Sequence, residues 1–333
     1  MFKYVMKRLG LMVMTFSIIF VMCFVLIKLL EPIILTGGVE DPMIVYKQFE
    51  ARGWICNIRK GYNGIIEYDK VPPFIQLGHY LKRIFLHGDF GRATTYGEYV
   101  PRKVWEVFVE KLPPTILINI YSTIIGVPIG LGLGIIAALK KNTWIDQVIN
   151  VFIILLVSVP SIILGILIQY FLCFKLRWFD ITMKSGYDYF TWPMIRSMLP
   201  AVLSLSLGSI AGYARYTRAE LSEVLTSEFL LLARTKGLTK RQAIFRHAIR
   251  NSMVVIFPSI LGEFVAVLSG SLIIEKMFSI PGVGGLYLNS ITFQDVDFFM
   301  LLTGFYTLVS LTAGIVIDIS YGFIDPRIRM GAK

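Results

Sequence analysis

Charge is what this chain of 333 residues has least of: 17% of positions are Asp, Glu, Lys or Arg, against roughly a quarter in soluble domains. The few charges are unevenly placed, so long stretches carry none. This argues against a soluble protein with a large core and for a membrane protein. Cysteine is almost missing as well, and Cys23, Cys56 and Cys173 have no metal-ligand spacing. Cys23 and Cys173 fall inside apolar runs, where a thiol serves packing, whereas Cys56 is extramembrane and has no obvious partner. There is no Gly-x-x-x-x-Gly-Lys-Ser/Thr phosphate loop, so the chain is not expected to bind or hydrolyse ATP itself. His-Glu-x-x-His and Gly-x-Ser-x-Gly are absent too, and no paired acids or Ser–Lys dyad lie inside the apolar runs. His79 and His87 read as surface or helix-packing residues, because no third ligand accompanies them.

Apolar side chains are abundant, at 55% of the chain with a mean hydropathy of +0.67. A helix needs about 20 apolar residues to cross a bilayer. Six segments qualify: Leu9–Ile27, Leu112–Leu139, about Ile145–Phe174, about Met198–Ala214, Ser252–Ile274 and Phe298–Ile317. The first is too long for a signal peptide and is followed by no small-residue cleavage site, so it reads as a retained anchor. The expected fold class is therefore an all-α polytopic membrane protein of six transmembrane helices.

The formal net charge is +11, and its distribution explains it without nucleic acid. Lys3, Lys7 and Arg8, then Lys140 and Lys141, then the basic loop from Arg215 to Arg250, then Arg327, Arg329 and Lys333 all fall on one side of a six-span chain. Short basic loops stay in the cytoplasm, so both termini are expected there. The expected organisation is residues 1–30 as the first span and its tip, 31–111 as an extracytoplasmic domain, 112–322 as the membrane core with a cytoplasmic loop at 215–250, and 323–333 as a cytoplasmic tail. The outer domain has turn pairs at Gly37-Gly38 and Pro72-Pro73, and is too aromatic for a disordered linker. Phe74, Leu77, Leu81, Ile84 and Phe85 recur near helical spacing and predict one amphipathic helix over Pro73–Leu86.

Polar groups inside the spans are few. Glu263 sits mid-span, where an exposed charge costs roughly 2.5–3.5 kcal/mol or more. It faces either a water-filled path that meets cationic substrate or a hydrogen-bonding partner on a neighbouring helix. Ser204, Ser206, Ser209, Ser269 and Ser271 line a path or simply allow close packing. Of these groups, Glu263, Ser269, Ser271, Ser204 and Ser209 are the candidate path residues.

The strongest local signal is cytoplasmic. Glu220–Lys236 predicts a helix that ends at Gly237, a good left-handed terminator, after which Thr239 caps a second helix beginning at Lys240. Phe229, Leu232 and Ala233 make one side apolar and the other side is basic. An interfacial element held by anionic lipid and a docking helix for a partner's groove both fit this pattern.

Ser227-Glu-Phe-Leu-Leu-Leu-Ala-Arg-Thr-Lys-Gly-Leu238 and Arg246-His-Ala-Ile-Arg-Asn251 resemble the EAA loop of ATP-binding-cassette (ABC) importer permeases, in particular the oligopeptide branch. His87-Gly-Asp-Phe-Gly91, Ala137–Thr143, Val159-Pro-Ser161, Ile280-Pro-Gly-Val-Gly284 and Ile324-Asp-Pro-Arg-Ile328 are similar to other motifs of that branch. The resemblance implies the type I importer fold. It also implies docking on ATPase subunits through Ser227, Glu228, Phe229, Leu231, Leu232, Ala233, Lys236, Gly237, Leu238, Arg246 and His247. The family's usual Glu falls at Leu231 by spacing from Gly237, so no salt bridge from that position carries over.

Implied partners are a homologous second permease, two ATP-binding-cassette subunits, an extracytoplasmic solute-binding protein, a peptide substrate and membrane lipid. No cofactor is expected on this chain, and ATP and Mg belong to the ATPases. Near relatives of the branch import nickel, metal chelates or other small solutes, which is the alternative substrate class. An ion-coupled secondary transporter is the alternative mechanism. It would show inverted repeats and broken helices with coupling acids, and only Glu263 leans that way.

Overall fold

The computed structural model describes residues 2–30, 41–61, 66–184, 186 and 188–324, without the side chains of 2–4, 269, 323 and 324. Gly37-Gly38 and the 325–333 part of the tail therefore lie outside the described residues. In chain order the elements are α1 (Phe2–Leu29), α2 (Pro42–Ala51), β1 (Ile55–Lys60), β2 (Ile66–Lys70), α3 (Pro73–His87), α4 (Val104–Leu139), α5 (Trp144–Ser158), α6 (Ser161–Ile168), α7 (Trp192–Leu225), α8 (Glu228–Thr235), α9 (Lys240–Ala243), α10 (Ile249–Ala266), α11 (Leu272–Met277), α12 (Val283–Thr292) and α13 (Val296–Ile324). Five stretches among the described residues are long and apolar enough to cross a membrane: Val5–Leu29, Val104–Leu139, Trp192–Leu225, Lys240–Ala266 and Val296–Gly322. A sixth is Trp144–Ser158 with Ser161–Lys175, a pair bent by 104°. The bend falls at Val159-Pro160, where extended backbone at Val159 and a proline without an N–H break the helix. Two compact units are distinguished, one around Leu112–Gly284 and the other around Gly10–Lys111 with Gly285–Leu308.

In the first unit, α4 and α7 meet along a seam of small residues. Gly126, Gly130 and Gly134 recur every fourth residue, which puts them on one face of α4. A Cβ added at Gly130 would lie 2.8 Å from both the Ile210 carbonyl oxygen and Tyr213 Cβ, and one at Gly134 would lie 2.6 Å from Thr217 Cβ. Only glycine allows the two backbones this close, the usual device where lipid supplies no hydrophobic drive between helices. Ile256 and Ile260 of α10 pack with Val127 of α4 and Tyr213 of α7 in one buried cluster. A buried ion pair ties α5 to α7: Arg218 Nε donates to Asp146 Oδ1 at 2.6 Å and Nη2 to Oδ2 at 2.8 Å. Asn142, at φ +65°, turns the chain after α4 and donates its backbone N–H to the same carboxylate. The turn fits Asn, one of the few side chains that tolerate left-handed backbone.

The second unit contains the only sheet among the described residues. It is a two-stranded antiparallel sheet pairing Ile55 with Lys70 and Lys60 with Ile66. Its core joins Phe24 and Ile27 of α1, Leu77 and Tyr80 of α3, and Val296, Phe299 and Met300 of α13. Asp295 accepts from the backbone N–H groups of Thr94, Thr95 and Tyr96, so a fully buried carboxylate holds the segment before α4. Arg83 donates to buried Asp297 at 2.5 Å. Gly91, the last residue of the His87–Gly91 motif, has φ +97° and no room for a Cβ beside Asp297. That motif is thus a turn fitted around a carboxylate.

The seam makes a paired prediction. Gly130→Ala should destabilise the chain by about 1–3 kcal/mol, the cost of overpacking a tight contact. Gly132→Ala should be neutral or stabilising, because no atom lies within 4 Å of its Cβ position and Ala favours helix. Thermal unfolding of both variants in nanodiscs checks this, and equal midpoints would contradict the seam.

Candidate functional site

The cytoplasmic loop of the sequence reading folds as two short helices on a glycine turn. The long helix predicted over Glu220–Lys236 is in fact two: α7 stops at Leu225, and α8 begins after Ser227. Ser227 uses its hydroxyl to donate to the Val224 carbonyl at 2.6 Å instead of capping α8, so Thr226-Ser227 forms a corner. α8 closes at Gly237, at φ +94°, where the Leu238 N–H reaches back to the Ala233 carbonyl. Thr239 then forms a reciprocal capping box with Gln242. From there α9, a wide-turn segment Ile244–Ala248 and α10 run on as the single membrane-crossing stretch Lys240–Ala266.

One face of this loop is locked to its own unit. Leu230 and Ala243 are buried with Ala138 of α4 and Leu221 of α7. Ala233 is also buried, although the sequence pattern placed it beside Phe229 and Leu232 on the apolar docking side. The exposed apolar ridge on α8 is instead Phe229 with Leu232; Leu231, further round the helix, and Phe245, beyond the glycine turn, are exposed as well. Phe245 was missed because it lies beyond the glycine turn, and only the fold brings the two helices together. Glu228, Lys236, Gly237 and Arg246 are exposed, while Ser227, Leu238 and His247 are half-buried. Beside the ridge is a concavity of about 520 Å³ whose lining includes Lys141, Arg234, Lys240, Leu231 and Ile244.

Inside the membrane stretch, Glu263 is half-buried and receives a hydrogen bond from the Ser209 hydroxyl at 2.6 Å. The Tyr213 phenol lies against the same carboxylate. Two donors on α7 thus face one acceptor on α10, and both donors stand on the glycine seam, where Gly126 meets Ser209 and Gly130 meets Tyr213. Ser204 and Ser206 behave differently. Both are buried and donate to the carbonyls of Pro200 and Leu203 on their own helix. Ser271 starts α11 without a side-chain cap, and the side chain of Ser269 lies outside the described residues.

A second carboxylate went unnoticed in the sequence. Glu275 on α11 is fully buried, accepting from the Gly284 N–H at 2.8 Å and the Ser271 N–H at 3.3 Å. Gly270, Gly282 and Gly284 each leave no room for a Cβ next to its oxygens. This gives the Ile280–Gly284 motif a physical reason, since the glycines admit a carboxylate to the backbone. Burial pushes the Glu275 carboxyl up to about 6 despite these donors.

Comparison with known proteins places this geometry. The family described as "Binding-protein-dependent transport system inner membrane component" matches residues 130–330. The chain is similar to the dipeptide transport system permease protein DppB of Lactococcus lactis subsp. cremoris, with 30% identity over 99% of this chain and 100% of that protein. It is 29% identical to the oligopeptide transport system permease protein OppB of Salmonella typhimurium, over 99% and 100% of the two chains. A solved amino acid ABC transporter shares the fold at a TM-score of 0.50 and 19% identity, covering 65% of this chain and 93% of that one.

Glu275 yields a pH prediction. Its folded value lies above the ordinary 4.5, so its contribution to stability is complete below about 4.5 and is lost as pH rises through about 6. A shift of that size corresponds to about 2 kcal/mol. The unfolding midpoint should therefore fall as pH rises from about 4.5 to about 6, and Glu275→Gln should flatten that decline. An unchanged pH profile in the variant would assign the carboxyl no such role.

Proposed function

The chain belongs to the binding-protein-dependent transport system inner membrane components, and from that premise we propose that it passes peptides across the membrane as half of a two-permease pathway. It is a multi-pass membrane permease subunit with the type I importer fold. The peptide reading is supported by full-length similarity to permeases named for dipeptides and oligopeptides. In this reading a homologous permease completes the pathway, and a solute-binding protein delivers substrate on the extracytoplasmic side. Two cassette subunits bind ATP and Mg in the cytoplasm, where both termini also lie.

The observation that carries the coupling role is the set of exposed apolar side chains on the α8–α9 loop, Phe229, Leu231, Leu232 and Phe245. The loop's opposite face is fixed by Leu230, Ala233 and Ala243. Large apolar side chains presented this way fit a partner's groove, and the basic rim of Arg234, Lys236, Lys240 and Arg246 suits an acidic surface around it. Closure of the ATPases would move α8 and, through α9 and α10, the helix that carries Glu263. Glu263, with Ser209 beside it, is the proposed polar point of the path.

Docking is tested on the ridge, because a charge at Ala233 would disturb the loop's own packing as well. Leu232→Glu should leave membrane insertion and thermal stability intact while abolishing co-purification of the ATPase subunits and uptake. Gly237→Val should do the same by straining a φ of +94°. Full co-purification with normal uptake would sink the docking role. Glu263→Gln keeps the hydrogen bond from Ser209 but removes the charge, so uptake of cationic peptides should fall relative to neutral ones. Equal uptake of both classes would make Glu263 a packing residue.

A further inference from the structure

Helix α3 carries two apolar faces. One packs inside its unit through Leu77, Tyr80, Leu81 and Ile84. The other is bare: Phe85 is 81% exposed, Phe74 69%, Leu86 68% and Ile75 52%. At 100° per residue these four fall within a single arc, which they share with Gly78, His79 and Lys82. The sequence pattern had placed Phe74 and Phe85 on the same side as Leu77 and Ile84. The structure turns them outward because Gln76, Leu77 and Tyr80 take the inner side.

The depth of the packed face says what the bare face meets. Tyr80 packs at a tilt against Phe20 and Phe24 of α1, at ring-centre distances of 6.2 and 5.7 Å. Both phenylalanines lie within the membrane-crossing stretch Val5–Leu29. Lys28, whose ammonium sits 3.5 Å over the Trp54 ring, marks the polar end of that stretch. Phe24 and Phe20 lie four and eight residues further in, about 6 and 12 Å at the helical rise. On α13, the partners Phe299 and Met300 likewise fall inside the crossing stretch Val296–Gly322. α3 is therefore packed along the same crossing stretch of α1 that carries an exposed apolar stripe of Met14, Ile18, Met22 and Leu26 at four-residue spacing.

We propose that α3 is an interfacial helix embedded in the leaflet from which α1 emerges, with Phe74, Ile75, Phe85 and Leu86 among the acyl chains. Lys82 lies in the middle of the same arc on a flexible stem, and its ammonium extends to lipid phosphates. The segment after the first span is then partly a membrane element and continues the lipid-facing surface of α1.

The test uses the assembled transporter in vesicles of phosphatidylcholine and phosphatidylglycerol, with Cys23, Cys56 and Cys173 replaced and uptake retained. Nitroxide labels go singly on Phe85→Cys and Leu86→Cys, with Lys60→Cys on β1 as the aqueous control. Phe74→Cys, at the other end of α3, repeats the measurement if either variant misfolds. Power-saturation spectroscopy then compares collisions with oxygen, which concentrates in lipid, and with a neutral nickel chelate, which stays in water. The expected result is a several-fold excess of oxygen over nickel collisions on α3 and the reverse at position 60. Nickel dominance on α3 would put the face in water, and shielding from both reagents would put another protein subunit over it. Either result overturns the proposal, and neither depends on what the transporter carries.

Discussion

The packing of α4 against α7 is the contact from which the rest of the membrane unit takes its positions. Gly126, Gly130 and Gly134 bring the two backbones into direct contact, and the side chains of α7 along and beside this seam hold the neighbouring helices. Arg218 holds Asp146 and so sets α5. Ser209 and Tyr213, which meet Gly126 and Gly130 on the seam itself, also reach Glu263 on α10. The end of α7 supplies Leu221 to the small core under the α8–α9 loop. In lipid there is little hydrophobic gain from bringing helices together, so shape and a few polar contacts must do it. A chain with so few charges spends them at these crossings.

The carboxylates illustrate the same economy. Asp146, Glu275, Asp295 and Asp297 are all buried, and each is met by an arginine or by backbone N–H groups. An unpaired buried charge would be expensive, and losing one partner of such a pair typically costs about 3–5 kcal/mol. These groups therefore fix geometry more than they add net stability. Asp295 gathers N–H groups from the non-helical segment Thr94–Tyr96, and Glu275 joins the residue before α11 to the first turn of α12, which is how connections beside a membrane obtain a defined shape without a sheet.

Much of this was legible in advance. The apolar runs located every crossing helix, because length and hydropathy are local properties. The glycine turn and the Thr239 cap were readable for the same reason. What escaped the sequence depends on distance along the chain. Asp146 and Arg218 are 72 residues apart, and neither stands out until the fold brings them together. The break at Thr226-Ser227 was missed because both residues are tolerated in a helix, and only the hydroxyl bond to Val224 shows the corner. Ala233 looked exposed because the helical pattern gives relative faces, not which face turns inward. Phe74 and Phe85 were misplaced for the same reason.

The stretch Lys240–Ala266 begins beside the glycine turn and continues without interruption past Glu263. At the helical rise, about 35 Å separate Lys240 from Glu263. A helical stretch of that length acts as a lever arm. Tilting it by about 5° at the turn sweeps its far end through about 3 Å, more than the 2.6 Å that now joins Ser209 to Glu263. A small rotation at that turn is thus enough to part Glu263 from Ser209.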